Sequence, residues 1–123
     1  MFAAAAAGAC APVASAPAPP AEWIEIGVAT DGTKALVDAQ TIQSTGGEVR
    51  VRQRFILGKP RAGGTRFLDQ DVIYHCPRRS AKTLSTLAYD ATGLIEQVSR
   101  HEAEPEQRIL PGTLPEYIFD VLC

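Results

Sequence analysis

Apolar and polar residues alternate along most of the chain after residue 22, and this period of two is typical of β-strands with one buried face. Glycine-containing segments interrupt the alternation, among them residues 30–33 and 90–93, which have the composition of hairpin turns. Six strands at this spacing favour an antiparallel meander. The predicted strands cover residues 23–28, 35–38, 48–57, 66–76, 82–89 and 94–100, and residues 39–42 are predicted as a helical turn.

The C-terminal segment changes to the period of an α-helix. Thr113 and Glu116 have the spacing of a capping box, and Pro115 suits the first turn of a helix. A helix this short does not persist alone in water, so it must pack its apolar face on the sheet, which predicts an α+β fold. The predicted apolar face consists of Leu114, Tyr117, Ile118, Val121 and Leu122.

The chain has three cysteines, none of them in a CxxC pair or a cluster with histidine, so a zinc site is not expected. Cys76 ends the fourth predicted strand on the face that the helix should cover, and Cys123 closes the helix. In an oxidising compartment these two would form a disulfide. Closing a loop of about 47 residues stabilises the fold by about 4 kcal/mol in the entropic account. The alternative is a pair of unpaired buried thiols.

Residues 1–21 are predicted to precede a single folded domain of residues 22–123. Small apolar residues lead into Cys10, as in a bacterial lipoprotein signal, and lipidation would consume this third cysteine. No Lys or Arg precedes the short apolar run, so we interpret the sequence as beginning downstream of the true start. Ala11 after the cysteine is typical of outer-membrane delivery, and residues 11–21 form an extended Pro/Ala linker. The alternatives are cleavage by ordinary signal peptidase and an alanine-rich tail with no targeting role.

A stripe of arginines lies on one face of the third predicted strand. Arg50, Arg52 and Arg54 alternate there, and Asp69 and Asp71 lie on the matching face of the fourth strand. We interpret the stripe primarily as cross-strand ion pairs, which is a common way to stabilise paired strands. The functional alternative is a basic surface for acidic glycans or proteins. Two arginines at a loop tip would extend that surface, namely Arg78 and Arg79.

Catalytic and nucleic-acid-binding functions are not expected. His75 points to the strand face opposite Cys76, His101 lies in an acidic segment, and neither is near a recognisable nucleophile motif. We therefore predict a protein without enzymatic activity, cofactor or metal ion. The net charge of −2 and the pI near 5.6 argue against a nucleic-acid partner, which requires a strongly basic stripe.

Several short segments of the second half form a recognisable set, and a looser set occurs in the first half. The former are Tyr74-His75-Cys76-Pro77-Arg78-Arg79, Leu84-Ser85, Tyr89-Asp90 with Gly93, Leu110-Pro111-Gly112-Thr113 and the terminal Cys123. The latter are Trp23-Ile24, Gly32-Thr33, Val37-Asp38 and Thr41-Ile42. With these segments, residues 22–123 resemble the surface-adhesin E family of bacterial envelope proteins.

The resemblance implies an antiparallel sheet with a C-terminal helix on its concave side, and a disulfide between Cys76 and Cys123 that joins them. It implies Cys10 as a lipid site on a surface lipoprotein. The founding member of the family binds host extracellular-matrix and serum proteins, but no binding residue carries over to this chain.

We therefore predict an exported, membrane-tethered, non-enzymatic domain that binds a protein or glycan ligand on its sheet face or edges. It would be an outer-membrane lipoprotein or a periplasmic protein. The alternative function is a periplasmic housekeeping role in the envelope, with a peptide or cell-wall component as ligand and no host adhesion. A homodimer is a further expectation, because a meander leaves edge strands that need covering.

Overall fold

One antiparallel sheet of eight strands, followed by a helix, makes up the computed structural model, which describes residues 20–61, 63–100 and 105–123. The elements are β1 (Trp23–Val28), β2 (Lys34–Asp38), β3 (Gln43–Thr45), β4 (Glu48–Ile56), β5 (Thr65–His75), β6 (Ser80–Asp90), β7 (Ile95–Arg100), β8 (Gln107–Arg108) and α1 (Leu114–Leu122). The strand order is β1-β2-β4-β5-β6-β7, with β3 paired to β4 and β8 paired to β6. The predicted antiparallel meander with a C-terminal helix is confirmed.

The described residues form eight strands rather than the six predicted. The additional strands, β3 and β8, have three and two residues, and each of these residues is exposed. Segments this short contain no complete polar–apolar alternation, so the period of the sequence cannot reveal them. A 3-10 turn at Ala39–Thr41 lies where a helical turn was predicted, and the Asp38 side chain accepts a hydrogen bond from the Gln40 N–H at its start.

The hairpin turns follow the prediction. Between β1 and β2, the Asp31 carboxylate accepts a hydrogen bond of 2.9 Å from the backbone N–H of Thr33. Between β6 and β7, the Asp90 carboxylate accepts from both the hydroxyl and the backbone N–H of Thr92. Because these hydrogen bonds favour the ionised carboxylate, they lower the pKa of Asp31 and of Asp90.

The hydrophobic core lies between the sheet and α1. We call the sheet face that α1 covers the inner face and the opposite one the outer face. The predicted disulfide is present: Cys76 follows β5, Cys123 follows α1, and their Cα atoms are 5.5 Å apart. It joins the end of the helix to the end of a central strand. The buried core residues are Ala35, Val37, Val51, Val72, Tyr74, Ile109, Ile118 and Phe119.

The buried face of α1 differs from the predicted one. Val121, predicted to face the sheet, is 62% exposed, whereas Phe119 is only 4% exposed. Phe119 comes four residues before Cys123, so the two share a helix face, and the disulfide turns that face toward the sheet. Tyr117 is half-exposed and lies across Gly27 of β1, where an added Cβ would come within 2.5 Å of the tyrosine ring.

The capping box predicted at the start of α1 is wrong in its hydrogen bonds. The Glu116 carboxylate accepts from the backbone N–H of Gly112 at 2.9 Å rather than from that of Thr113. The Thr113 hydroxyl makes no cap hydrogen bond and instead donates to the Leu110 carbonyl at 2.7 Å. The glutamate therefore caps the preceding turn, while Pro115 occupies the first turn as predicted.

A row of polar side chains crosses the inner face beside the core. The Tyr74 hydroxyl donates to Gln53 Oε1, the Gln53 amide donates to Gln70 at 2.9 Å, and the Gln70 amide contacts the Thr86 hydroxyl at 3.4 Å. Burial raises the pKa of Tyr74, so the phenol keeps the proton that it donates to Gln53. The row gives buried polar groups partners across three neighbouring strands.

Candidate ligand-binding surface

The predicted arginine stripe lies on the outer face of β4. Strand β5 pairs with β4 in a register that places Arg52 opposite Asp71 and Arg54 opposite Asp69. The structure therefore brings the stripe and the predicted carboxylates together on one face. The arginines of the stripe nevertheless have different environments, and these differences decide which of them are available to a ligand.

Arg54 is held by Asp69 and by aromatic rings. Its Nε and Nη2 atoms donate to the two Asp69 oxygens at 2.6 and 2.8 Å, and only 3% of the Asp69 side chain is exposed. The guanidinium carbon lies 4.4 Å from the ring centroid of Trp23, 5.7 Å from that of Phe67 and 6.0 Å from that of Tyr89. The hydrogen bond with Asp69 raises the pKa of Arg54. This arginine is part of the packing of the sheet.

Arg50 forms an exposed pair of similar geometry. Its Nε and Nη2 atoms donate to the Asp71 oxygens at 3.1 and 2.5 Å, and 52% of the Arg50 side chain is exposed. The pair is diagonal, because the residue directly opposite Asp71 in the ladder is Arg52. The hydrogen bond with Asp71 raises the pKa of Arg50. Asp71 thus neutralises Arg50 and leaves Arg52 without its cross-strand carboxylate.

Arg52 is exposed and forms no ion pair with any side chain that the structure describes. Its backbone N–H donates to the Thr41 hydroxyl at 2.9 Å. On the same outer face, Lys82 of β6 lies opposite Ile73 and also lacks an ion pair within the described parts of the chain. Arg52 and Lys82 are therefore cations that the outer face offers to solvent.

A depression lies beside Arg52, and we call it the Arg52 depression. Strand β2 pairs with β4 up to Gln53, and β3 pairs with β4 only from Arg50 back to Glu48, so Val51 and Arg52 lack a strand partner on that side. The 3-10 turn fills part of the gap. The cavity volume is about 430 Å³, and the lining residues are Gln40, Thr41, Gln43, Arg50, Val51, Arg52 and Asp71.

Arg78 and Arg79 lie apart from this depression, in the turn between β5 and β6 that also contains Cys76. Arg78 forms a bidentate pair with Glu106 at 2.7 and 3.3 Å. Arg79 stacks over the Phe119 ring at 4.6 Å. Both guanidinium groups therefore already have partners inside the domain.

The outer face also holds a serine, a histidine and a glutamate close together. His75 Nδ1 lies 3.3 Å from Glu48, and His75 Nε2 lies 3.9 Å from Glu106. The Ser80 hydroxyl donates to Glu106 and not to the histidine, and this hydrogen bond lowers the pKa of Glu106. An activated serine needs a base that accepts its proton near neutral pH, which a carboxylate of lowered pKa does poorly. The cluster instead attaches the segment before β8 to the sheet.

Two residues singled out in the sequence, Cys10 and His101, lie outside the described residues. Within the described ranges, no group of three or more His, Cys, Asp or Glu side chains could hold a metal ion. No helix in the described part of the chain is both long and apolar enough to cross a membrane.

A second depression, not predicted from the sequence, lies on the inner face at the start of α1. Its volume is about 490 Å³, and its lining combines apolar residues of β4, β5 and α1 with the polar turn between β1 and β2. It includes Phe55, Leu68, Leu114 and Arg61. The sequence could not indicate it, because it depends on how far α1 extends over the sheet.

With the antiparallel sheet, the C-terminal helix and the disulfide between them described, one comparison with known proteins gives a match. The family model described as surface-adhesin protein E matches residues 23–123. The chain belongs to the surface-adhesin protein E family. Membership indicates an adhesin-like surface protein with a non-enzymatic role. Searches of curated proteins and of solved structures found no match to this surface-adhesin E chain.

Proposed function

We propose that this surface-adhesin E protein is an exported, non-enzymatic domain that captures an acidic protein or glycan on its outer sheet face. The observation that carries the proposal is that Arg52 and Lys82 form no ion pair with any described side chain, on a face where carboxylates hold Arg50 and Arg54. A cation without an internal partner gains most from an anionic ligand, because it gives up no existing ion pair on binding.

The charge of the whole chain bears on where an acidic partner can approach. The formal net charge is −2, so the molecule as a whole does not attract an acidic partner. Attraction at one basic surface then orients the partner during approach, and this kind of steering weakens as salt is added. We infer that Arg52 and Lys82 determine where on the outer face the partner docks.

Attachment to the envelope is the second part of the proposal. Cys10 is the proposed lipid site and residues 11–21 are the proposed linker, which would place the domain at the outer membrane or in the periplasm. The disulfide supports an oxidising location, because such bonds persist mainly outside the cytosol. The described chain enters the domain beside the Arg52 depression, since the Glu22 side chain accepts a hydrogen bond from the lining residue Gln40.

The binding proposal can be tested with immobilised heparin and immobilised polyglutamate as acidic probes. We expect the full chain to bind at least one of them at low salt, and the variant Arg52→Glu/Lys82→Glu to bind about tenfold more weakly or worse. The matched control is Lys59→Glu/Arg61→Glu, which changes the net charge equally in the loop between β4 and β5. An equal loss of binding in both variants, or binding of neither probe by the unmodified chain, would contradict the proposal.

A further inference from the structure

The Arg52 depression is lined by uncharged polar side chains and a carboxylate as well as by arginines. We propose that it is a subsite for one carboxylate-bearing sugar ring, such as a uronic acid unit of an acidic glycan. This inference rests on the proposed function and names the ligand class of part of the same face. It follows from which donors and acceptors remain unused in the depression.

The donors are concentrated on Arg52 and Gln43. Within the described residues, neither the Arg52 guanidinium nor the Gln43 amide has a hydrogen-bond partner. A guanidinium presents its N–H groups as a planar fork that matches the two oxygens of a carboxylate. Arg52 therefore has its whole guanidinium available for bidentate recognition of a carboxylate, whereas its neighbour Arg50 already uses its Nε and Nη2 atoms on Asp71.

The acceptors come from the 3-10 turn and from β5. The Gln40 amide nitrogen donates to Glu22 at 3.0 Å, which leaves the Gln40 carbonyl oxygen as an acceptor. Each Asp71 oxygen accepts one hydrogen bond from Arg50 and keeps a further lone pair. A ligand that satisfies these groups must donate hydrogen bonds as well as accept them, and sugar hydroxyls do so.

The donors and acceptors that line the depression favour a uronic acid over phosphate and over an acidic peptide. A dianionic phosphate would meet the Asp71 carboxylate in the lining, and like charges at close range are costly. An acidic peptide can pair its carboxylate with Arg52, but close to that carboxylate it offers backbone N–H donors only, whereas a uronic acid ring carries several hydroxyl donors for Gln40 and Asp71. The volume of about 430 Å³ lies within the range of ~300–1,000 Å³ found for small-molecule sites. The depression is open, so the rest of a glycan chain can continue across the face.

The test is an NMR titration of the isotopically labelled full chain with glucuronate, and with glucose as the neutral isostere. We expect glucuronate to shift the backbone amide signals of residues 40–43 and 50–52, and glucose to leave them unchanged. The variant Arg52→Gln should bind glucuronate about tenfold more weakly, because a charge-assisted bidentate contact is lost. Arg52 is exposed, so this variant is expected to retain the dispersed spectrum of a folded sheet.

The control variant Lys82→Gln separates the subsite from the wider face. Lys82 does not line the depression, so this variant should bind glucuronate normally while its affinity for heparin or polyglutamate falls. Equal shifts with glucose, or stronger shifts with phosphate or an aspartate-containing peptide, would overturn the sugar assignment. If glucuronate causes no shifts while Arg52→Glu/Lys82→Glu still abolishes binding to the acidic polymers, the subsite is wrong and the proposed function stands.

Discussion

At the scale of single residues, burial distinguishes two ion pairs that otherwise look alike. Arg54–Asp69 and Arg50–Asp71 join the same two strands, on the same face and with two hydrogen bonds each. The Asp69 side chain is 3% exposed, and Trp23 stacks over its arginine, whereas the Arg50 side chain is 52% exposed. Identical chemistry therefore has different energetic consequences at the two positions.

We predict that Arg54→Ala destabilises the domain by about 3–5 kcal/mol, because it leaves the buried Asp69 carboxylate without a partner. The matched variant Arg50→Ala should cost no more than about 1 kcal/mol, because water can hydrate the Asp71 carboxylate that it leaves without a partner. Urea unfolding gives both free energies of unfolding. The double variant Arg54→Ala/Asp69→Ala should recover part of the loss. Equal costs for the two single variants would show that burial does not distinguish the pairs.

At the scale of secondary-structure elements, the sequence predicts what is periodic and misses what depends on distant partners. The six long strands and the helix follow from local period and turn chemistry. The strands β3 and β8 are too short to have a period. The Arg52 depression exists because β2 and β3 share one side of β4 and leave a gap, and only the long-range register reveals such a gap.

The rotation of α1 about its own axis is a different case, because the sequence does contain the information that decides which helix face is buried. Counting apolar positions placed Val121 on the buried face, yet Val121 is exposed and Phe119 is buried. Once Cys123 is taken as the partner of Cys76, the residue four positions earlier must also face the sheet, and that residue is Phe119. A covalent constraint thus sets the helix rotation where hydrophobic spacing is ambiguous.

We predict that removing this constraint frees α1 more than it disturbs the sheet. In Cys76→Ser/Cys123→Ser the free energy of unfolding should fall by about 4 kcal/mol, the loop-closure value for a separation of 47 residues. A nine-residue helix has little stability of its own, so amide hydrogen exchange should rise most in Leu114–Leu122. The control Val121→Ser, at an exposed position, should leave exchange unchanged. A uniform rise over β4 and β5 would instead mean that helix and sheet open as one unit.

For the molecule as a whole, the proposed binding face and the proposed attachment point would lie next to each other. The chain enters the sheet through Glu22, which contacts Gln40 at the rim of the Arg52 depression. A linker at residues 11–21 would therefore join the domain next to the surface that we propose for the ligand. If residues 11–21 act as the proposed extended Pro/Ala linker, they would hold that surface away from the membrane. Attachment at Cys10 would thus influence which ligands can reach the face.

We predict that the protein isolated from its native envelope begins at Cys10 and carries acyl groups on that residue, while Cys76 and Cys123 are oxidised. Intact mass spectrometry before and after reduction checks these points together, because reduction should add only the mass of two hydrogen atoms. In Cys10→Ser the acyl mass should disappear and the protein should leave the membrane fraction, since the lipid is its proposed anchor. The disulfide should remain in that variant, because its partners lie in the folded domain. A native protein that keeps residues 1–9 would contradict lipidation at Cys10. One in which all three cysteines react with an alkylating reagent without reduction would contradict both the lipid anchor and the disulfide.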